Sequence, residues 1–157
     1  MIKGGLMLFL LFMMAVAIAQ ASSVPAEFKD RQVVLTKPLS VAPQNYHVLF
    51  QGGKPITQGQ LTVWDPSCRL ELKNAKDSRW QIDAATYQIT GYKTFSSDCD
   101  QNGCDEVTSL ALNTLNGPEA YKLDCRVRHA FGEPGNTPSK LTPQSLDIIL
   151  GDYITIK

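Results

Sequence analysis

The chain has 157 residues, 43% of them apolar and 19% charged, with 15 basic side chains balancing 15 acidic ones. That combination excludes a disordered polar tail, a collagen-like repeat and a strongly basic nucleic-acid binder, each of which departs from average hydrophobicity or neutral charge. All four methionines, Met1, Met7, Met13 and Met14, fall in the first 21 residues and tell nothing about a folded core.

Lys3 supplies a short positive start, and Leu6 to Ala19 then runs without charge or proline before closing on Ala19-Gln20-Ala21. The apolar run is about 14 residues, shorter than the roughly 20 a spanning helix needs, and small residues at both alanine positions suit a signal peptidase. Residues 1–21 are expected to be a cleaved secretory signal; a retained anchor is the alternative. Cleavage removes Lys3 and leaves 14 basic against 15 acidic side chains. A periplasmic or secreted protein follows, without a membrane span and without affinity for nucleic acid.

Residues 22–30 form a polar, flexible lead-in, and residues 31–157 a single β-rich domain. Gln32 to Thr36 is a short β-branched run, and Tyr46, Val48 and Phe50 alternate with His47, Leu49 and Gln51 until Gly52-Gly53. Gln60 to Asp65 is expected as a strand with Leu61 and Val63 on one face and Trp64 on the other. Cys68, Leu70 and Leu72 alternate cleanly with Arg69, Glu71 and Lys73. Trp80 to Ala84 and Tyr87 to Phe95 continue the pattern, Ser96 to Asp105 reads as a loop, and Glu106 to Leu115 returns as a strand. Tyr121, Leu123, Cys125, Val127 and His129 then line up opposite Lys122, Asp124, Arg126 and Arg128. After the Pro/Gly-rich stretch 132–140 the period changes. Thr142 is placed to cap a helix with Pro143 at its first position, Leu146, Ile149 and Leu150 form its stripe, and Gly151 ends it. Tyr153 to Ile156 is a last strand. The expected fold is all-β, or α+β, a small antiparallel barrel or sandwich with one short C-terminal helix.

Cys68, Cys99, Cys104 and Cys125 permit three pairings. Cys99–Cys104 with Cys68–Cys125 is preferred, because the first pair flanks an Asn102-Gly103 turn and the second sits on two alternating strands with both sulfurs on the apolar face. Neither a redox Cys-x-x-Cys at a helix start nor a zinc set with nearby histidines is present in the sequence; His47 and His129 are isolated.

Asp98 to Glu106 matches the opening of an EF-hand calcium loop, with oxygen ligands at the first, third and fifth places and glycine at the sixth. The match stops at Ser109, which stands where a bidentate glutamate belongs. A solvated hairpin tip is the plain reading, and a weak calcium site on Asp98, Asp100, Asn102 and Glu106 the alternative; no other cofactor is suggested. Arg69, Arg126 and Arg128 are expected on exposed strand faces, paired with Asp124 and Glu71 or available to an acidic partner. Trp64, Arg126 and Arg128 are the candidate partner-binding residues. No hydrolase, metalloprotease, phosphate-loop or dinucleotide motif occurs, and no catalytic residue is nominated.

The series Pro66-Ser67-Cys68, Leu123-Asp124-Cys125 and Leu141-Thr142 through Leu150-Gly151 resembles a group of small exported proteins of gammaproteobacteria. The resemblance implies a periplasmic setting and supports a Cys68–Cys125 bridge; it carries no activity, ligand or catalytic residue with it. The expected function is that of an exported non-catalytic β domain binding or stabilising an envelope or extracellular partner. A small secreted hydrolase, or a calcium-responsive module at residues 98–106, is the alternative.

Overall fold

Alternation of apolar and polar residues favours antiparallel strands, because one pleated face loses its apolar area to a core while the other keeps its polar groups satisfied. The computed structural model describes residues 23–130 and 141–157. Within them run β1 (Gln32–Leu35), β2 (Leu39–Val41), β3 (His47–Gln51), β4 (Lys54–Ile56), β5 (Ser67–Leu72), β6 (Trp80–Ile82), β7 (Thr86–Asp100), β8 (Gly103–Asn116), β9 (Ala120–Ala130), helix α1 (Pro143–Leu150) and β10 (Ile154–Ile156). Eight strands form one antiparallel sheet in the order β10-β1-β7-β8-β9-β5-β3-β4, curled into a half-barrel, while β2 and β6 pair as a separate ribbon. The expected segment 1–21 and the Pro/Gly-rich stretch 132–140 lie outside the described residues.

The inner face is built in cross-strand rows. Phe50, Cys68, Cys125 and Thr108 stand in one row, and Val48, Leu70, Leu123, Leu110 and Tyr92 in the next. All nine are buried. Each large apolar member contributes about 1.5–3 kcal/mol by leaving water. Cys68 and Cys125 lie directly opposite each other on neighbouring strands and are bridged, as are Cys99 and Cys104; no cysteine is free. On β7 the register shifts between Ile89 and Gly91. One extra residue there, Thr90, moves the alternation by a place, so the core residues are Tyr87, Ile89 and Tyr92.

Helix α1 spans the opening of the half-barrel, packing against β10 at one end of the sheet and against β3, β4 and β5 at the other. Its start is a reciprocal cap: the Ser145 amide donates to Thr142 Oγ1 (3.2 Å), and the Thr142 amide donates to Ser145 Oγ (2.9 Å). Pro143, Leu146, Ile149 and Leu150 are its buried stripe, and Ile148 faces solvent. At its end Gly151 takes φ 59° and lies against Gly53 in the β3–β4 turn, whose amide donates to the Ile149 carbonyl (3.1 Å). A Cβ at Gly151 would stand 2.1 Å from the Gly53 carbonyl oxygen. Only two bare backbones can meet this closely.

Three expectations change. The lead-in is anchored: residues 26–30 turn so that Phe28 is fully buried and stacked on Tyr92, with ring centroids 5.5 Å apart. Ser96 to Asp105 is not a loop but the far end of the β7–β8 hairpin, whose turn is confined to Gln101-Asn102. Gln60 to Asp65 is not a strand; a 3-10 turn at Gln58–Gln60 leads into an open segment. No helix among the described residues is long and apolar enough to cross a membrane.

Candidate functional site

On β9 the outward side chains Lys122, Asp124, Arg126 and Arg128 alternate with the core residues Leu123 and Cys125. Strand pairing places Asp105 of β8 opposite Arg128, and Ser67 of β5 opposite Arg126. Asp105 is only 1% exposed, and each of its oxygens meets a guanidinium, Arg126 Nη1 at 3.0 Å and Arg128 Nη1 at 3.1 Å. A carboxylate held away from water requires such charge-assisted partners. Arg126 Nε also donates to Ser67 Oγ (2.9 Å), and Arg128 reaches Asp100 at 2.6 Å and the Asp98 carbonyl at 3.2 Å. The expected exposure of these arginines is therefore corrected: Arg126 is mostly covered and the Arg128 side chain is 5% exposed. Their partner is Asp105 rather than Asp124, which binds Lys122 (2.5 Å) and Ser109 (2.5 Å) instead. Arg69 pairs with Glu71 at 2.5 Å, as its position two residues along one face suggests.

Above this charged row lies the segment between β4 and β5. Gln51, the last residue of β3, fixes it: its amide nitrogen donates to the carbonyls of Thr62 (2.8 Å) and Asp65 (3.0 Å), and its oxygen accepts from the Thr62 amide (2.9 Å). This cover explains why Leu49 and Gln51 are buried although they face away from the core. Trp64 is left 51% exposed, with the Arg128 guanidinium 5.2 Å from its ring centre. Between the segment and β7 opens a cleft of about 360 Å³. Leu49, Leu61, Phe95 and Val107 give it apolar walls, and Arg69, Lys122, Asp124 and Arg126 a polar floor, with Ser97 and Asp98 at the β7 side.

The structure thus brings two of the three candidate partner-binding residues, Arg126 and Arg128, together on Asp105, and links the third, Trp64, to them through Arg128. The proposed calcium set is distributed differently. Asp100 Oδ1 accepts from the Asn102 amide (2.8 Å) and the Gly103 amide (3.2 Å), while its other oxygen meets Arg128. The Asn102 amide, against the opposing effect of desolvation, and then the Arg128 charge hold the Asp100 carboxyl below its ordinary range. Asp98 lines the cleft, whereas strand alternation puts Glu106 on the opposite face of β8 from Asp105. Among the described residues no group of three or more His, Cys, Asp or Glu is placed to hold a metal.

His47 stands opposite Glu71 near Arg69; burial first, and then the Arg69 charge, lower its pKa against the pull of Glu71. His129 stands opposite Cys104, at the other end of the sheet, and its Nε2 is buried without a hydrogen-bond partner among the described residues. The two histidines share no site.

Sequence reasoning missed Asp105, Ser67 and Gln51, the residues that organise the cleft. Asp105 sits in a stretch dense with acids and looks solvated; only the pairing of β8 with β9 shows that it answers two arginines spaced by one residue. Comparison of the chain with protein-family models, with curated proteins and with solved structures finds no match.

Proposed function

We propose that the chain is an exported, non-catalytic β domain that binds an envelope or extracellular partner through the outer-face cleft. The observation that carries this reading is the cleft itself, a preformed opening walled by the exposed Phe95 and bordered by the segment that Gln51 holds, in which the half-exposed Trp64 follows the lining residue Leu61 by three places. Aromatic side chains left half in water beside a rigid polar floor are what recognition surfaces offer a ligand. Arg69, Lys122 and Arg126 each hold a carboxylate within 3.0 Å, an arrangement that builds a fixed surface rather than a free acid or base. Two disulfides on one chain fit an oxidising compartment, which agrees with the leader expected at residues 1–21.

Co-sedimentation with isolated cell envelopes of the producing organism tests the reading. Saturable retention of the wild type is expected, lost by about tenfold or more in Trp64→Ala and Phe95→Ala, a change typical of a rim aromatic. Ile148→Ala, on the exposed side of α1, should behave as wild type. Equal retention of all four proteins, or none of the wild type, would overturn it.

A further inference from the structure

We infer that the occupant of the cleft is an uncharged glycan strand, a conclusion that rests on the cleft being the binding surface. Charge is the first reason. The three cations on the floor are neutralised from within the chain, Arg69 by Glu71, Lys122 by Asp124 and Arg126 by Asp105. An acidic ligand would have to break those pairs, and a strongly basic one meets only Asp98, a carboxylate on the β7 side with no cation within ion-pair distance among the described residues. A ligand without charge leaves every pair intact.

Hydrogen-bonding chemistry is the second reason. Paired guanidinium and carboxylate groups, with the Ser67 and Ser97 hydroxyls, put donors and acceptors side by side in fixed positions. A sugar hydroxyl both donates and accepts, so adjacent hydroxyls on a pyranose ring are matched by such alternation. The aromatic rings are the third. Trp64 and Phe95 are 51% and 40% exposed, and each carries a cation on one face, Arg128 at 5.2 Å and Lys93 at 5.0 Å. The cation steadies each ring, and the surface that Phe95 in the cleft wall and Trp64 in the bordering segment still leave to water is offered to the apolar C–H face of a sugar. A cleft of about 360 Å³ takes a short run of such rings.

The test is calorimetric titration of the purified full domain with tetramers of β-1,4-linked N-acetylglucosamine and of β-1,4-linked glucose. Saturable binding of at least one is expected, with affinity unchanged between about 50 and about 500 mM salt because no charge is neutralised. Trp64→Ala should weaken it about tenfold or more, and Phe95→Ala likewise; both side chains are exposed, and unchanged melting temperatures would verify the fold. Trp80→Phe, away from the cleft, should bind as wild type. No saturation by either sugar at about 10 mM, or binding that Trp64→Ala leaves unchanged, overturns the inference. If the sugars fail while envelopes still retain the wild type and not Trp64→Ala, the glycan is excluded and the cleft stands as a surface for a protein. If both fail, the cleft is not the binding surface.

Discussion

Tyr87 shows how a single side chain can serve the core and cost it at once. Its ring is among the largest fully buried groups, yet its hydroxyl has no hydrogen-bond partner among the described residues, and burial pushes its pKa up to about 12. An unsatisfied buried donor costs about 1–3 kcal/mol, so Tyr87→Phe should leave stability unchanged or raise it by about 1 kcal/mol. A clear fall in thermal midpoint would show that the hydroxyl is bonded. His47 makes a prediction of opposite chemistry. Its pKa is lowered in the folded state, so below the ordinary value of about 6.5 the unfolded chain binds the proton more readily. Stability should therefore decline as pH falls from about 7 through that value, and His47→Gln should flatten the slope in that window while leaving the acid loss of Asp100 below about pH 4 in place. Denaturant midpoints measured across pH check both signs.

At the scale of elements, the strands with strict alternation were legible and the departures were not. Cys68, Leu70 and Leu72 declare a half-buried strand, and Thr142-Pro143 with Gly151 declare a helix and its ends. The β7–β8 hairpin beyond Ser96 was hidden because Ser96, Ser97, Asp98 and Asp100 are the residue types of turns, while here they extend a ribbon closed by Cys99–Cys104. Periodicity alone puts Trp64 on a strand because it cannot register a side-chain amide; it is Gln51 that holds that segment in an open path. The contact of α1 with the β3–β4 turn is likewise invisible until Gly53 and Gly151 meet. Gly151→Ala should lower stability by more than the roughly 1 kcal/mol of a positive-φ penalty alone, because the added carbon collides with backbone that has no rotamer to yield. Gly52→Ala, at φ 59° but facing open space, is the control and should cost only that penalty. Chemical denaturation of the two variants separates the terms.

For the molecule as a whole, the half-barrel depends on holding β5 to β9, the junction between the β7–β8–β9 ribbon and the β3–β4–β5 group. Cys68–Cys125 sits on that junction and closes a loop of 57 residues, whereas Cys99–Cys104 closes one of 5 at the exposed tip. Loop-closure entropy assigns about 4 kcal/mol to the long bridge and about 2 kcal/mol to the short one. Replacing Cys68 and Cys125 together by alanine and valine should lower the melting temperature more than replacing Cys99 and Cys104 by serine; the reverse order would show that the tip carries the fold. The same junction positions the cleft, since Ser67 and Arg69 of β5 and Lys122, Asp124 and Arg126 of β9 form its floor. Site-directed photo-crosslinking tests most directly that this cleft is the working surface. A benzophenone amino acid is placed singly at Trp64, Phe95, Tyr46, Leu115 and Ile148, all exposed apolar positions, in the chain made by its own organism. Adducts are expected at 64 and 95 and not at 46, 115 or 148; adducts spread evenly over the five positions, or confined to the last three, would contradict a binding role for the cleft.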